Sequence, residues 1–318
     1  HNQSAMAKTP HPHSQTTRPG PVQLRFDRTP SNWRAMVSSL MAGRPAQAPT
    51  EKLGVQLRAT WQGARAPTGG LARYNMVCAL PATGKLPLLY VHAMAMPLHM
   101  AILSHPQFPL RLLGLVHWSN TITSVRPIAA GEVLDLECTL DGITPGERGQ
   151  SFALNTTVRV QGEVVWSEVS TFLSPMEKSK SGQATKAAPV PDATDWGAPV
   201  AQWPLAGNAG RRFAGPSGDW NPIHMSALSA RLFGYPRAIA HGLFSAARCL
   251  ALLQTHVAHA THIGPGGPVR LDLRFKRPLL IPGRVALHTA PDGDATRFVL
   301  RVQPGDEPHI EGRLERAR

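Results

Sequence analysis

The chain has 318 residues, 42% of them hydrophobic, which is material for two units that each bury a core. Its 33 Lys and Arg against 20 Asp and Glu leave a net charge of +13, which a solvated basic surface and an anionic partner explain equally well. The basic residues are scattered, without a Lys/Arg block, a zinc-finger spacing or an aromatic RNA-binding strand, so a nucleic-acid partner is set aside.

In chain order, residues 1–20 are polar, carry Pro and His, and have no apolar secretory core; they read as a disordered leader. Residues 21–175 form a first unit. Its apolar run around Leu86–Met100 predicts a buried helix, followed by alternating strands in LLGLVHWSNTITSVRPIAAGEVLDLECTL and SFALNTTVRVQGEVVWSEVSTFL. Met94, Met96, Met100 and Phe108 read as core, with an acyl tunnel as the alternative. Residues 176–195, rich in Lys, Ser, Ala and Pro, read as a linker. Residues 196–318 form a second unit with a helix beginning near Ile239, then strands in GGPVRLDLRFKRPLLIPGRVALHTA and TRFVLRVQ. No uncharged apolar run reaches the roughly 18 residues a membrane crossing needs. Cys78, Cys138 and Cys249 are too far apart for a disulfide framework or a zinc site, so a reducing cytoplasm is expected.

The two units echo each other. His92 and His241 open the two helices; Arg126-Pro127 and Arg277-Pro278 follow at similar distances; Gly131 and Gly283 then mark hairpins. One long helix and an antiparallel meander in each unit predict an α+β fold in which a sheet wraps a central helix twice.

The segment richest in chemistry is FAGPSGDWNPIHMSALSARLFGYPRAIAHG. Ser217-Gly218-Asp219 and Asn221-Pro222 are turn signals, with a short helical run over Met225–Phe233 after them. A carboxylate and an imidazole on either side of such a turn can hold one water between them, and an imidazole exchanges protons near neutral pH. Spacing alone is also met by Asp219 capping the short helix and His224 lying on the surface. Gly242, at the start of the long helix, puts unpaired backbone N–H groups at the positive end of the dipole, where a thioester oxygen can be received; close helix packing explains a glycine there equally well.

SGDWNPIH followed by IAHG resembles the signature of MaoC-like (R)-specific enoyl-CoA hydratases and acyl dehydratases, and the first unit resembles the degenerate partner domain of their double hot-dog members. The resemblance implies a double hot-dog fold and reversible hydration of trans-2-enoyl thioesters to (R)-3-hydroxyacyl thioesters. It implies Asp219 and His224 as the catalytic pair, the Gly242 amide as oxyanion donor, and Asn221 with Ser217 as loop support. His241, Ser245, Arg274 and Lys276 are candidates for substrate binding, with a solvated strand face as the alternative for the two basic residues. Alternation along the strand puts Arg270, Arg274 and Lys276 on one face and Arg277 on the other. Family members often carry a Ser further along the central helix, where this chain has AARCLALL, and Ser245 one turn earlier is the possible substitute. No metal or redox cofactor is implied; the partner is an acyl-CoA or acyl-carrier-protein thioester, and a homodimer is plausible. A hot-dog thioesterase and a non-catalytic acyl-CoA binding module are the alternatives.

Overall fold

A computed structural model describes residues 22–29, 53–112, 114–175, 194–256 and 267–317. The expected leader (1–20) and nearly all of the expected linker (176–195) lie outside these residues. The first half comprises β1 (Val22–Phe26), β2 (Leu53–Ala64), α1 (Thr68–Cys78), α2 (Tyr90–Ser104), β3 (Val116–Ser124), β4 (Leu134–Gly146), β5 (Gly149–Val160) and β6 (Glu163–Pro175). The second comprises β7 (Ala201–Leu205), α3 (Ala209–Ser217), a 3₁₀ turn (Pro222–His224), α4 (Ala227–Arg231), α5 (Gly242–His256), β8 (Val269–Phe275), β9 (Gly283–Asp292), β10 (Ala295–Gln303) and β11 (Pro308–Arg316).

The strands form a single sheet in the order β1-β2-β4-β5-β6-β3-β8-β11-β10-β9-β7, antiparallel except where β1 runs parallel to β2. Leaving out β1, the order reads the same from either end if each first-half strand is matched to its second-half counterpart. The halves meet where β3 pairs with β8, Ile122 opposite Leu271. Strand residues alternate as a half-buried sheet requires: in β4, Leu134, Leu136, Cys138 and Leu140 face the core, and the residues between them point away. The helix α2 buries Tyr90, Val91, Met94, Leu98 and Ile102, so apolar side chains cover most of its circumference, as a sheet-wrapped helix requires.

The duplication extends to single hydrogen bonds. Ahead of α2, Leu86 N–H donates to Ile128 O at 2.8 Å and Gly84 O accepts from Ala130 N–H at 2.9 Å. Ahead of α5, Ala240 N–H donates to Leu279 O at 2.8 Å and Ala238 O accepts from Ile281 N–H at 2.9 Å. Both pairs sit at the same offsets from Arg126-Pro127 and Arg277-Pro278, around the bridges Lys85–Ala129 and Ile239–Leu280. This is a double hot-dog fold.

One boundary differs from expectation. The long helix begins at Gly242, because Ile239 and Ala240 extend to pair with the segment after Arg277-Pro278. That pairing satisfies backbone groups that a longer helix would have taken, and it fixes where the helix N-terminus points.

Candidate active site

Between the two central helices and the residues leading into α5 lies a cavity of about 280 Å³. The stretch that walls it on one side, residues 218–241, has as its counterpart the shorter stretch 79–89 between α1 and α2. The second half therefore carries extra chain between its two helices, and both Asp219 and His224 stand on it.

Each turn of that stretch is built locally. Helix α3 ends on Gly218 in the left-handed conformation (φ 73°), and Ser217 Oγ donates back to Phe213 O at 2.7 Å while accepting from Asp219 N–H at 3.3 Å. Asp219 Oδ1 accepts from Asn221 N–H at 3.1 Å, and Asn221 Oδ1 accepts from Ile223 N–H at 3.3 Å, capping the 3₁₀ turn whose first residue is Pro222. Ser226 caps α4. Gly210 explains how closely α3 presses on this loop: a Cβ there would stand 2.0 Å from His224 O. That glycine was not singled out from sequence, and only the close approach reveals its purpose.

His224 is buried, 8% exposed, and is not a surface histidine. Its Nδ1 lies 2.8 Å from Ile239 O. A carbonyl oxygen can only accept, so Nδ1 carries the hydrogen and Nε2 of the neutral ring keeps a lone pair. Burial pushes the pKa of His224 down, opposed by Asp219 and the Ile239 hydrogen bond, so the ring is neutral at pH 7. His241 stacks on it with ring centroids 3.7 Å apart. Burial and His224 push the pKa of His241 to about 3 against the pull of Asp219. Its Nε2–H donates to Asp219 O at 3.1 Å and lies 3.8 Å from Asp219 Oδ2. His241 thus clamps the Asp219 turn and supports the other imidazole.

The Asp219 side chain remains 33% exposed and lines the cavity. Burial alone would push its carboxyl up; His241, His224 and the Asn221 N–H outweigh this and hold it below the ordinary carboxylate range. An ionised carboxylate and a neutral imidazole with a free lone pair consequently share one small volume, the donor atoms of Asp219, His224 and His241 all lying within 4.8 Å of one another. Those three could also ligate a metal, as could His92, His99 and Glu168 in the first half.

Gly242 lines the same cavity as the first residue of α5, and its N–H has no protein acceptor among the described residues. A Cβ on it would stand 2.5 Å from Phe275 Cε1. The glycine is therefore required by packing, and its amide is left for an acceptor from outside the described residues.

The candidate substrate contacts separate. His241 and Lys276 line the cavity, together with Arg277. Lys276 and Arg277 follow the end of β8 at Phe275; the Lys276 ammonium pairs at 2.9 Å with Glu311, which stands opposite Arg274 in the sheet, and Arg277 pairs with Glu307 at 2.8 Å. Arg274 is exposed on the outer face of the sheet and does not line the cavity. Ser245 is buried beside His309, Oγ to Nε2 3.2 Å, and is also absent from the lining. Met96 and Met100 line the cavity, whereas Met94 and Phe108 belong to the core.

The first half was expected to help shape an acyl pocket, and the histidines in its wall were not anticipated. His92, His99 and His117 line it. His92 Nδ1 lies 2.5 Å from Glu168 Oε1, which also accepts from Asn120 Nδ2, and His99 Nε2 lies 2.8 Å from Thr156 Oγ1. The available signal was twofold: His92 and His99 lie two helical turns apart on one face, and Glu168 falls between buried Trp166 and Ser170 in an alternating strand.

Residues 198–303 match the family described as MaoC like domain. The chain is 32% identical over 240 residues to the 3-hydroxyacyl-thioester dehydratase X of Mycobacterium tuberculosis, covering 76% of this chain and 82% of that protein. The crystal structure of HtdX from the same organism superposes with a TM-score of 0.69 at 28% identity, covering 82% of this chain and 100% of that one. A MaoC-like dehydratase from Phytophthora capsici shares the fold at 14% identity, with a TM-score of 0.60 over 84% of this chain and 96% of its own. At 32% identity to the dehydratase of Mycobacterium tuberculosis over most of both chains, with the family match in its second half, the chain belongs to the MaoC-like dehydratases.

Proposed function

We propose that the protein adds water reversibly across the double bond of trans-2-enoyl thioesters, with Asp219 and His224 as its acid–base pair. The observation that carries this is the His224 tautomer: with Nδ1–H held by Ile239 O, its Nε2 lone pair and the Asp219 carboxylate share one cavity. A water between them loses a proton to His224 Nε2 while Asp219 accepts its other O–H. The hydroxyl oxygen bonds to Cβ, the electron pair of the double bond moves toward the thioester oxygen, and the Gly242 N–H at the helix terminus stabilises that oxygen. The proton then passes from His224 to Cα on the same face, giving the (R)-3-hydroxyacyl thioester. Dehydration reverses each step. Electron transfer is not involved, and neither a metal nor a redox cofactor is needed by this route.

Lys276 and Arg277 at the mouth meet the phosphates of a CoA or carrier-protein thioester, and Met96 and Met100 flank the acyl chain. Incubation with crotonyl-CoA tests the reading: loss of enoyl absorbance with formation of the (R)-3-hydroxy product supports it, whereas release of free thiol would mark a thioesterase and binding without either change an acyl-CoA binding module.

A further inference from the structure

The stretch that carries Asp219 and His224 has an outer side as well as the side that walls the cavity. On it lies the short helix α4, fastened at both ends to residues that line the cavity. Ser229 Oγ donates to Pro222 O at 2.7 Å, and Tyr235 N–H donates to Ala230 O at 3.2 Å. Ala230 is buried, whereas Leu228 and Leu232 are 75% and 78% exposed, more than any other large apolar side chain among the described residues. They stand one helical turn apart on one face, with Arg231 next to them. Trp220 is half-exposed and also lines the cavity, so the cavity opens on this side of the molecule.

The charge around the leucines says what covers them. Between residues 196 and 241 the sequence has four arginines and a single acid, Asp219, which lines the cavity. Arg211 donates to Met225 O, just ahead of α4, at 2.8 Å; Arg231 donates to Pro236 O at 3.3 Å and Arg237 to Pro282 O at 3.2 Å. All three are exposed, and none has a carboxylate partner among the described residues. Arginines on the sheet differ: Arg270 is neutralised by Asp272 at 2.9 Å and Arg313 by Asp292 at 2.6 Å. An apolar centre inside a basic rim that nothing in the chain neutralises complements an acidic partner.

A second copy docked face to face would set arginine against arginine. A bilayer seated here would cover the opening beside Trp220 and shut the cavity off from thioesters in water. An acidic protein that bears the acyl group on a phosphopantetheine arm covers the leucines and brings the thioester to the opening in one event. We infer that Leu228, Leu232 and the arginines around them are the docking surface of an acidic acyl carrier protein, which makes the carrier-bound thioester the preferred substrate over the CoA thioester. This rests on the hydratase reading for the reaction, though not for the docking.

The test uses a bacterial acyl carrier protein of net negative charge, loaded with a butyryl group for calorimetry or a crotonyl group for turnover. The wild-type protein is expected to bind the butyryl carrier at least about tenfold more tightly than butyryl-CoA, and salt should weaken that preference. Leu228→Ser with Leu232→Ser, and separately Arg231→Glu, should each cost about tenfold in carrier affinity. The loss should fall on KM for the crotonyl carrier, with kcat held and turnover of crotonyl-CoA unchanged. Equal affinity of the wild-type protein for carrier and CoA would overturn the inference, as would carrier binding that neither variant weakens or an equal loss with crotonyl-CoA. Binding to phosphatidylglycerol vesicles that the variants abolish, without a carrier preference, would assign the surface to a membrane and overturn it too. Carrier docking that depends on these residues without any hydration would leave the surface standing and remove the hydratase reading instead.

Discussion

In the second half, Asp219, His224 and His241 are presented by a turn-rich stretch and a helix end; in the first half, Glu168, His92 and His99 are presented by a strand and one face of a helix. Both sets bring a carboxylate and two imidazoles together, and the difference is what each carboxylate has left to do. The Glu168 side chain is fully buried and engaged by His92 and Asn120, whereas that of Asp219 is 33% exposed to a cavity with one oxygen satisfied by a single backbone N–H. An acid–base site needs groups held firmly from behind and left open in front. On the proposed function, the chain inserted between α3 and α5 gives the second half this arrangement; the first half has no such insertion, and its histidines join the wall of the same cavity.

The contrast can be broken at its strongest point by removing the base. His224→Gln should lower kcat for enoyl-CoA hydration by about 10³-fold, the middle of the range a positioned general base supplies, with thermal unfolding close to wild type. His241→Ala keeps both members of the pair but removes the clamp on Asp219 and the ring stacked on His224, and the resulting misplacement should cost about 10²-fold in kcat. Glu168→Gln tests the other side. Deleting the buried carboxylate partner of His92 should destabilise the fold by about 3 kcal/mol in urea titration, while kcat of the folded protein changes far less than in the His224 variant.

The smallest effects concern pH. His99, His117 and His241 have pKa values near 3, pushed down mainly by burial, against an ordinary value of 6.5. Below pH 6.5 the unfolded chain binds protons that the folded chain does not. Their contribution to stability is therefore complete above that pH and is lost as the pH falls toward 3. The melting temperature should decline steadily across this window. Since the pKa of His224 is also lowered, kcat/KM should stay level through pH 7 and fall only on the acid side of the ordinary imidazole range.

Much of this arrangement was legible in the sequence, because turn residues and hydrophobic period are local signals. SGDWNPIH places an acid and a base on successive turns, and two helix-plus-meander segments with matching Arg-Pro positions foretell the doubled sheet. What stayed hidden depends on partners distant in sequence. The start of α5 at Gly242 is set by the pairing of Ile239 with Leu280, and apolar continuity gives no sign of it. Gly242 answers to Phe275 and Gly210 to His224, contacts that no spacing rule announces. His117 and Glu168 read as ordinary strand residues until β3, β6 and α2 are brought together.

On the proposed function, one carboxylate–imidazole pair does the chemistry and the other does not. Asp219→Asn keeps the size of the side chain and its place beside His241 while removing the charge. Its steady-state hydration of crotonyl-CoA, measured on protein shown to be folded by circular dichroism, should fall by about 10³-fold or more. Hydration within tenfold of wild type would move the site away from Asp219.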